Sequence, residues 1–314
     1  MNKRAFVFVL VLASLVFGMV GMPVAAQDAQ VFYWISHGTA GDPIWAFAAA
    51  GAERAAADLS VEVRVSFHGG DVAAQREAFT AAIAAGAAGI ATSSPEPGAL
   101  TDLVAEAQAA GIPVVYFNTD DPGSGRDAYV GGNGVEVGRQ WAQYLVDNGL
   151  VESGDFVFMP VEVPGATYQV DETNGIASVF DPLGIIYEVV DAQYDPAAST
   201  VNMIDYLTAN RDRIDAVIAL GDLVAGNIPF AFDQVGIPAG SIPVVGWGNS
   251  LQAAAGVRDG YINAAMFQNP DAQGYMPMVL LNIAADGGVI GYNIYTASLY
   301  EAADAEYYVN YFGQ

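Results

Sequence analysis

Cysteine is absent from this chain of 314 residues. That excludes a disulfide, a thiolate metal site, a thiol nucleophile and a lipid anchored on cysteine. Lysine is almost as scarce, since Lys3 is the only one. Ten basic residues face 35 acidic ones, for a formal net charge of −25. Nucleic acid and anionic membrane surfaces are poor partners for such a field, and phosphorylated ligands are disfavoured unless a local arginine overrules it. The same charge also suits a solvated surface selected for solubility. Only His37 and His68 could supply imidazole, and no HExxH or close ligand pair accompanies them, so no metal site is expected. No GxSxG, phosphate loop or Ser–His–Asp order is present, and no catalytic residue is assigned. The many carboxylates leave a glycosidase pair open as an alternative.

Long apolar runs are also missing, with one exception. Lys3 and Arg4 precede an uncharged stretch from Ala5 to Val20, and Val24-Ala25-Ala26 then offers small residues before Gln27. Residues 1–26 therefore read as a cleavable export signal, which puts the remaining chain outside the cytoplasm as a soluble protein.

From Val31 onward, short apolar runs alternate with helical patterns. Strands are expected at 31–35, 61–66, 88–92 and 113–117, with Ala-rich helices near 44–58, 72–85 and 98–110 between them. After a short strand near Tyr129–Asn133 a second series follows, with strands at 155–160, 185–191, 215–220, 243–247 and 262–267 and a helix at 272–284. The Tyr-rich segment 292–311 suits one or two closing strands. Repeated β–α units imply parallel sheets with helices on both faces, and two series of similar length imply two similar α/β domains.

In open α/β sheets, ligands bind beyond the carboxyl ends of the strands. The stretch Val31 to Trp45 carries His37, Asp42 and Trp45 to such a position. A carboxylate and a large aromatic ring are suited to a neutral polyhydroxyl molecule: the ring covers C–H faces and the carboxylate accepts from hydroxyls. Asp42 before Pro43 is equally a favoured helix start, and Trp45 also fits a core position of its helix. Gly132-Asn133-Gly134-Val135-Glu136-Val137-Gly138 looks like a dinucleotide fingerprint. It lies mid-chain in an exported protein, and a glycine-eased crossing between domains accounts for it better. No cofactor is expected.

Several segments together resemble the periplasmic simple-sugar-binding proteins of ABC importers, the ribose-binding-protein type. They are Gly41-Asp42-Pro43-Ile44-Trp45, the strand from Ile112 to Asn118, Gln193-Tyr194-Asp195, the strand from Val244 to Asn249, and Phe267-Gln268 through Gly274. The resemblance covers about 29–314. It implies the type 1 periplasmic-binding-protein fold: two Rossmann-like α/β domains with parallel sheets, joined by a three-segment hinge. The N-terminal lobe would be 29–132 plus 269–294 and the C-terminal lobe 133–268 plus 295–314. Ligand would lie in the interdomain cleft, in contact with His37, Asp42, Trp45, Asn118, Glu172, Tyr194, Asp222, Asn249 and Gln268. The partners implied are a simple sugar or polyol and an ABC transporter permease, with the binding protein a monomer that performs no chemistry.

Three departures from the family pattern bear on ligand charge. Glu172, in Glu172-Thr173-Asn174-Gly175-Ile176, stands where the family has a sugar-clamping Arg. Gly221 replaces the Asn of an Asn-Asp pair, and Thr119 follows Asn118 where an Arg is common. A pocket without those arginines favours neutral or cationic ligands over acids. The alternatives within the same fold are therefore a nucleoside, a furanose-like signal or an amine-bearing compound.

Overall fold

A computed structural model describes residues 30–313, apart from Asp42 and Pro95. The expected export signal and the Asp42 assignment lie outside the described residues. The first series runs β1 (Val31–Ser36), α1 (Pro43–Leu59), β2 (Glu62–Phe67), α2 (Val72–Ala84), β3 (Gly89–Thr92), α3 (Thr101–Ala109), β4 (Val114–Asn118) and β5 (Ala128–Gly131). The second runs α4 (Gly134–Asp147), β6 (Phe156–Val161), α5 (Thr167–Leu183), β7 (Ile186–Asp191), α6 (Pro196–Asn210), β8 (Ala216–Ala219), α7 (Asp222–Val235), β9 (Val244–Trp247), α8 (Leu251–Arg258) and β10 (Ala264–Phe267). The chain closes with α9 (Pro270–Ala285), β11 (Asn293–Tyr295), β12 (Ser298–Glu301) and α10 (Ala305–Phe312).

Two six-stranded sheets result, ordered β2-β1-β3-β4-β5-β11 and β7-β6-β8-β9-β10-β12. The two orders repeat each other, and the pairs are parallel except for β12, which runs antiparallel to β10. Central strands such as β3, β5, β8 and β9 are buried on both faces, as parallel sheets covered by helices require. The outer strands β2 and β7 leave alternate residues exposed. The chain passes between the two sheets three times: from β5 into α4, from β10 into α9, and from β11 into β12. The closing segment differs from expectation in its last part. Two strands are present, but Ala305–Phe312 is helical, because its aromatic residues cluster on one side against Phe267 and Tyr300. The short helix α8 also lies in a stretch where no helix was expected.

Glycine sets the closest helix contacts. A Cβ on Gly138 of α4 would stand 2.0 Å from the Glu172 carbonyl oxygen on α5, and one on Gly175 would stand 2.0 Å from that of Val135. In the other half, a Cβ on Gly274 of α9 would lie 1.7 Å from the Ala48 carbonyl oxygen, and one on Gly51 of α1 would lie 2.2 Å from that of Asp271. Gly138, the last glycine of the fingerprint-like segment, thus serves backbone-to-backbone packing of α4 on α5. The same device joins α1 to α9.

Candidate functional site

The carboxyl ends of both sheets open onto one cavity of about 480 Å³, within the range usual for small-ligand sites. His37 follows β1, Asn118 ends β4, Glu162 follows β6, Gly221 and Asp222 follow β8, Trp247 ends β9 and Gln268 follows β10, and all of them line it.

On the first-sheet side, Trp45 extends from the opening turn of α1 and is only 8% exposed. Its indole meets the His37 ring edge-on at 4.7 Å and Phe117 at 6.3 Å. Gly38 makes this placement possible, since a Cβ there would stand 2.2 Å from the indole. Trp45 is therefore both a core residue and a wall of the cavity. The His37 Nδ1 lies 2.7 Å from Ser93 Oγ. Burial lowers its pKa to about 4, against a smaller opposing effect of its hydrogen bond with Ser93, so the ring is neutral near pH 7. Asn118 adopts φ 61°, a left-handed conformation that asparagine tolerates better than most residues. Its Nδ2 donates to Gln268 Oε1 at 3.0 Å and to Gln273 Oε1 at 3.1 Å. Asp120 accepts from the Arg126 guanidinium, which also donates to Asn293 Oδ1 at 3.0 Å.

On the second-sheet side, helix α7 starts without a side-chain cap of its own. Glu162 supplies one from β6: its Oε1 accepts the backbone N–H groups of Leu223 at 2.9 Å and Val224 at 3.2 Å. Burial pushes the Glu162 carboxyl above its ordinary pKa, and these backbone donors pull the other way. Asp222 accepts from both the backbone N–H and the side-chain amide of Asn249, each at 2.8 Å. Asn249 does not line the cavity, but its Oδ1 accepts from the Gln268 N–H at 2.7 Å. A hydrogen-bonded chain thus runs from Asp222 through Asn249 and Gln268 to Asn118, crossing from one sheet to the other.

Glu172 is fully buried on α5 and faces the cavity. Its Oε1 accepts the Trp247 indole N–H at 3.0 Å, and its Oε2 has no hydrogen-bond partner. Burial raises its pKa well above the ordinary value. The Trp247 bond opposes this, and the nearby charges of Glu162, Asp222 and Asp171 reinforce it.

Of the nine residues expected at the site, His37, Trp45, Asn118, Glu172, Asp222 and Gln268 line one cavity. Tyr194 does not. It is 72% exposed and lines an adjoining hollow with Asp195, Asn227 and Ser250. Glu162, Asp120, Arg126, Tyr168 and Asp171 also line the cavity and were not expected there. Glu162 and Asp120 sit just past strand ends, and that position was the signal available in the sequence. Among the described residues, no group of three or more His, Asp and Glu side chains could hold a metal ion.

The chain matches the periplasmic binding protein domain family over residues 32–288 and belongs to that family. Membership implies an extracytoplasmic location, and the family and the similar structures are binding proteins rather than enzymes. Among curated proteins, the D-xylose-binding periplasmic protein of Escherichia coli is 29% identical over 153 residues, covering 47% of this chain and 45% of that protein. The xylose/arabinose-binding protein XylF of Sulfolobus acidocaldarius is 29% identical over 234 residues, covering 69% of this chain and 57% of that protein. The matches thus span about half the length of these relatives. Two solved structures share the fold. A carbohydrate transporter from Acidothermus cellulolyticus, in complex with myo-inositol, has a TM-score of 0.77 at 23% identity and covers 90% of this chain and 98% of its own. A solute-binding protein from Burkholderia graminis, in complex with D-arabinose, has a TM-score of 0.78 at 21% identity, covering 89% and 97%. No described helix is long and apolar enough to cross a membrane.

Proposed function

We propose that this chain is an extracytoplasmic solute-binding protein that captures a simple sugar or polyol in its cleft and delivers it to an ABC permease. The observation that carries this reading is the pairing of an aromatic wall, Trp45 backed by Phe117, with hydrogen-bonding groups, Asn118, Gln268, Asp222 and Glu172, around one cavity. The wall matches the C–H face of a sugar ring. The amides both donate and accept, as hydroxyls do. The sugars named for the curated relatives and bound in the similar structures support the same class. Residues 29–132 with 269–294, and 133–268 with 295–314, act as two lobes that close on the solute about the three crossings. The protein works as a monomer, with residues 1–26 directing export, and it catalyses no reaction.

Trp45 and Trp247 line the cavity, so intrinsic fluorescence reports its occupation. Titration with a panel of pentoses, hexoses and cyclic polyols is expected to give saturable changes for at least one member, with Kd near or below about 10 μM, some 7 kcal/mol of binding. No response to any member refutes the proposal.

A further inference from the structure

The charges around the cavity do not balance. Among the described residues, five carboxyl groups line it, those of Asp120, Glu162, Asp171, Glu172 and Asp222. Among the same described residues, Arg126 is the one cationic side chain in the lining, and its guanidinium already serves Asp120 and Asn293. His37 is neutral near pH 7 and adds no positive charge. Glu162 accepts from backbone N–H groups and Asp222 from an asparagine, so neither meets a cation in those bonds.

Glu172 is the sharpest case. One oxygen accepts the Trp247 indole N–H, and the other is buried with no donor at all, in a residue of the cavity lining. A buried carboxylate oxygen without a donor is costly. A sugar hydroxyl offers it one O–H donor but no positive charge to set against the surrounding carboxylates. An alkylammonium supplies up to three N–H donors and the missing positive charge together. Among the described residues no group of three or more His, Asp and Glu side chains could hold a metal ion, which favours an organic cation as the complement.

We infer that the cleft selects an amine-bearing polyhydroxyl solute, an amino sugar or aminocyclitol, whose ammonium group docks against Glu172 Oε2. The inference rests on the reading of this cleft as a polyhydroxyl-binding site. The groups facing Glu172 are Glu162 from the end of β6, Asp222 from the start of α7, Asp171 and Tyr168 on its own helix, and Trp247 from β9. Farther along the cavity lie Asp120 with Arg126, and neutral His37. In the empty cleft, burial and these like charges favour the protonated acid. Binding of the ammonium ion then releases that proton to solvent, so affinity for an amine rises with pH as long as the free amine is itself protonated. A neutral sugar that accepts from the protonated acid shows the opposite trend.

The test is calorimetric titration of the full chain with matched pairs: D-glucosamine and D-glucose, D-galactosamine and D-galactose, and an aminocyclitol with its parent inositol. Each is measured at pH 5.5 and pH 7.0. The expected result is that one amine binds at least tenfold more tightly than its hydroxyl twin at pH 7.0, that its affinity is higher there than at pH 5.5, and that Glu172→Gln removes the preference. The ratio in the unaltered protein stands as a test even if the variant folds poorly. A neutral twin that binds as well or better overturns the inference and leaves polyhydroxyl binding intact. Failure of both classes to bind overturns the inference and the reading beneath it.

Discussion

Glu162 and Gly221 occupy mutually dependent positions. A Cβ on residue 221 would stand 1.7 Å from Glu162 Oε2, so the carboxylate can lie over the start of α7 only because residue 221 is glycine. The φ of Gly221 is −155°, an extended conformation open to any residue, so the requirement is steric rather than conformational. In the resembled family an asparagine fills this place. In this chain the glycine at 221 and the inward placement of Glu162 belong to one arrangement.

Gly221→Ala is accordingly expected to displace Glu162 from the Leu223 and Val224 N–H groups. Losing those bonds at a buried helix end costs about 1–3 kcal/mol, read as a shift of the urea midpoint at constant slope. A variant within about 0.5 kcal/mol of the wild type, the range of ordinary surface substitutions, contradicts the coupling.

Glu172→Gln separates charge from shape. The folded-state pKa of Glu172 is raised, so its contribution to stability is fully present below the unfolded value of 4.5 and is lost as pH rises toward the folded value. The glutamine variant of the ligand-free protein should therefore be more stable than the wild type at pH 8, with the difference fading as pH falls to 4. Denaturant titrations across that range check the trend, and a constant difference contradicts it.

His37 has the opposite dependence. Its folded-state pKa of about 4 lies below the unfolded 6.5, so the unfolded chain binds the extra proton between those values and stability falls as pH drops through them. Full development of the shift is worth about 3 kcal/mol. His37→Asn is expected to lose less stability than the wild type between pH 7 and pH 4, measured by thermal or urea unfolding. Parallel curves for the two proteins contradict the assignment.

Gly138→Ala tests the fingerprint-like segment. The new Cβ would meet the Glu172 carbonyl oxygen at 2.0 Å and force α4 away from α5. Overpacking of this kind costs about 1–3 kcal/mol, and the shift carries Glu172 with it, so ligand affinity should drop as well. A neutral result in the denaturation assay contradicts the packing role.

The alternation of apolar runs and Ala-rich helices made the two βα series legible, because parallel strands buried on both faces leave continuous apolar signatures. The strand expected at 31–35 stands at Val31–Ser36, and that expected at 262–267 stands at Ala264–Phe267. Leu251–Arg258 and Ala305–Phe312 escaped notice for physical reasons. The first is short and built of small residues, and the second carries tyrosines whose spacing imitates a strand. In the site, Glu172 was visible as a departure from the family pattern, and the structure places it, buried, in the cavity lining. Glu162 was not visible, because its partners are backbone N–H groups from another element, and such a contact leaves no mark in sequence spacing. Tyr194 shows the converse, since an aromatic residue in a matching loop lies out on the rim of a neighbouring hollow.

A ligand-bound crystal structure tests the central claim most directly. The account predicts density for one polyhydroxyl molecule in the cavity, its ring against Trp45 and its polar groups within hydrogen-bond distance of Asn118, Glu172, Asp222 and Gln268. Density for the solute elsewhere, or confined to the hollow beside Tyr194 with Glu172 untouched, would contradict it.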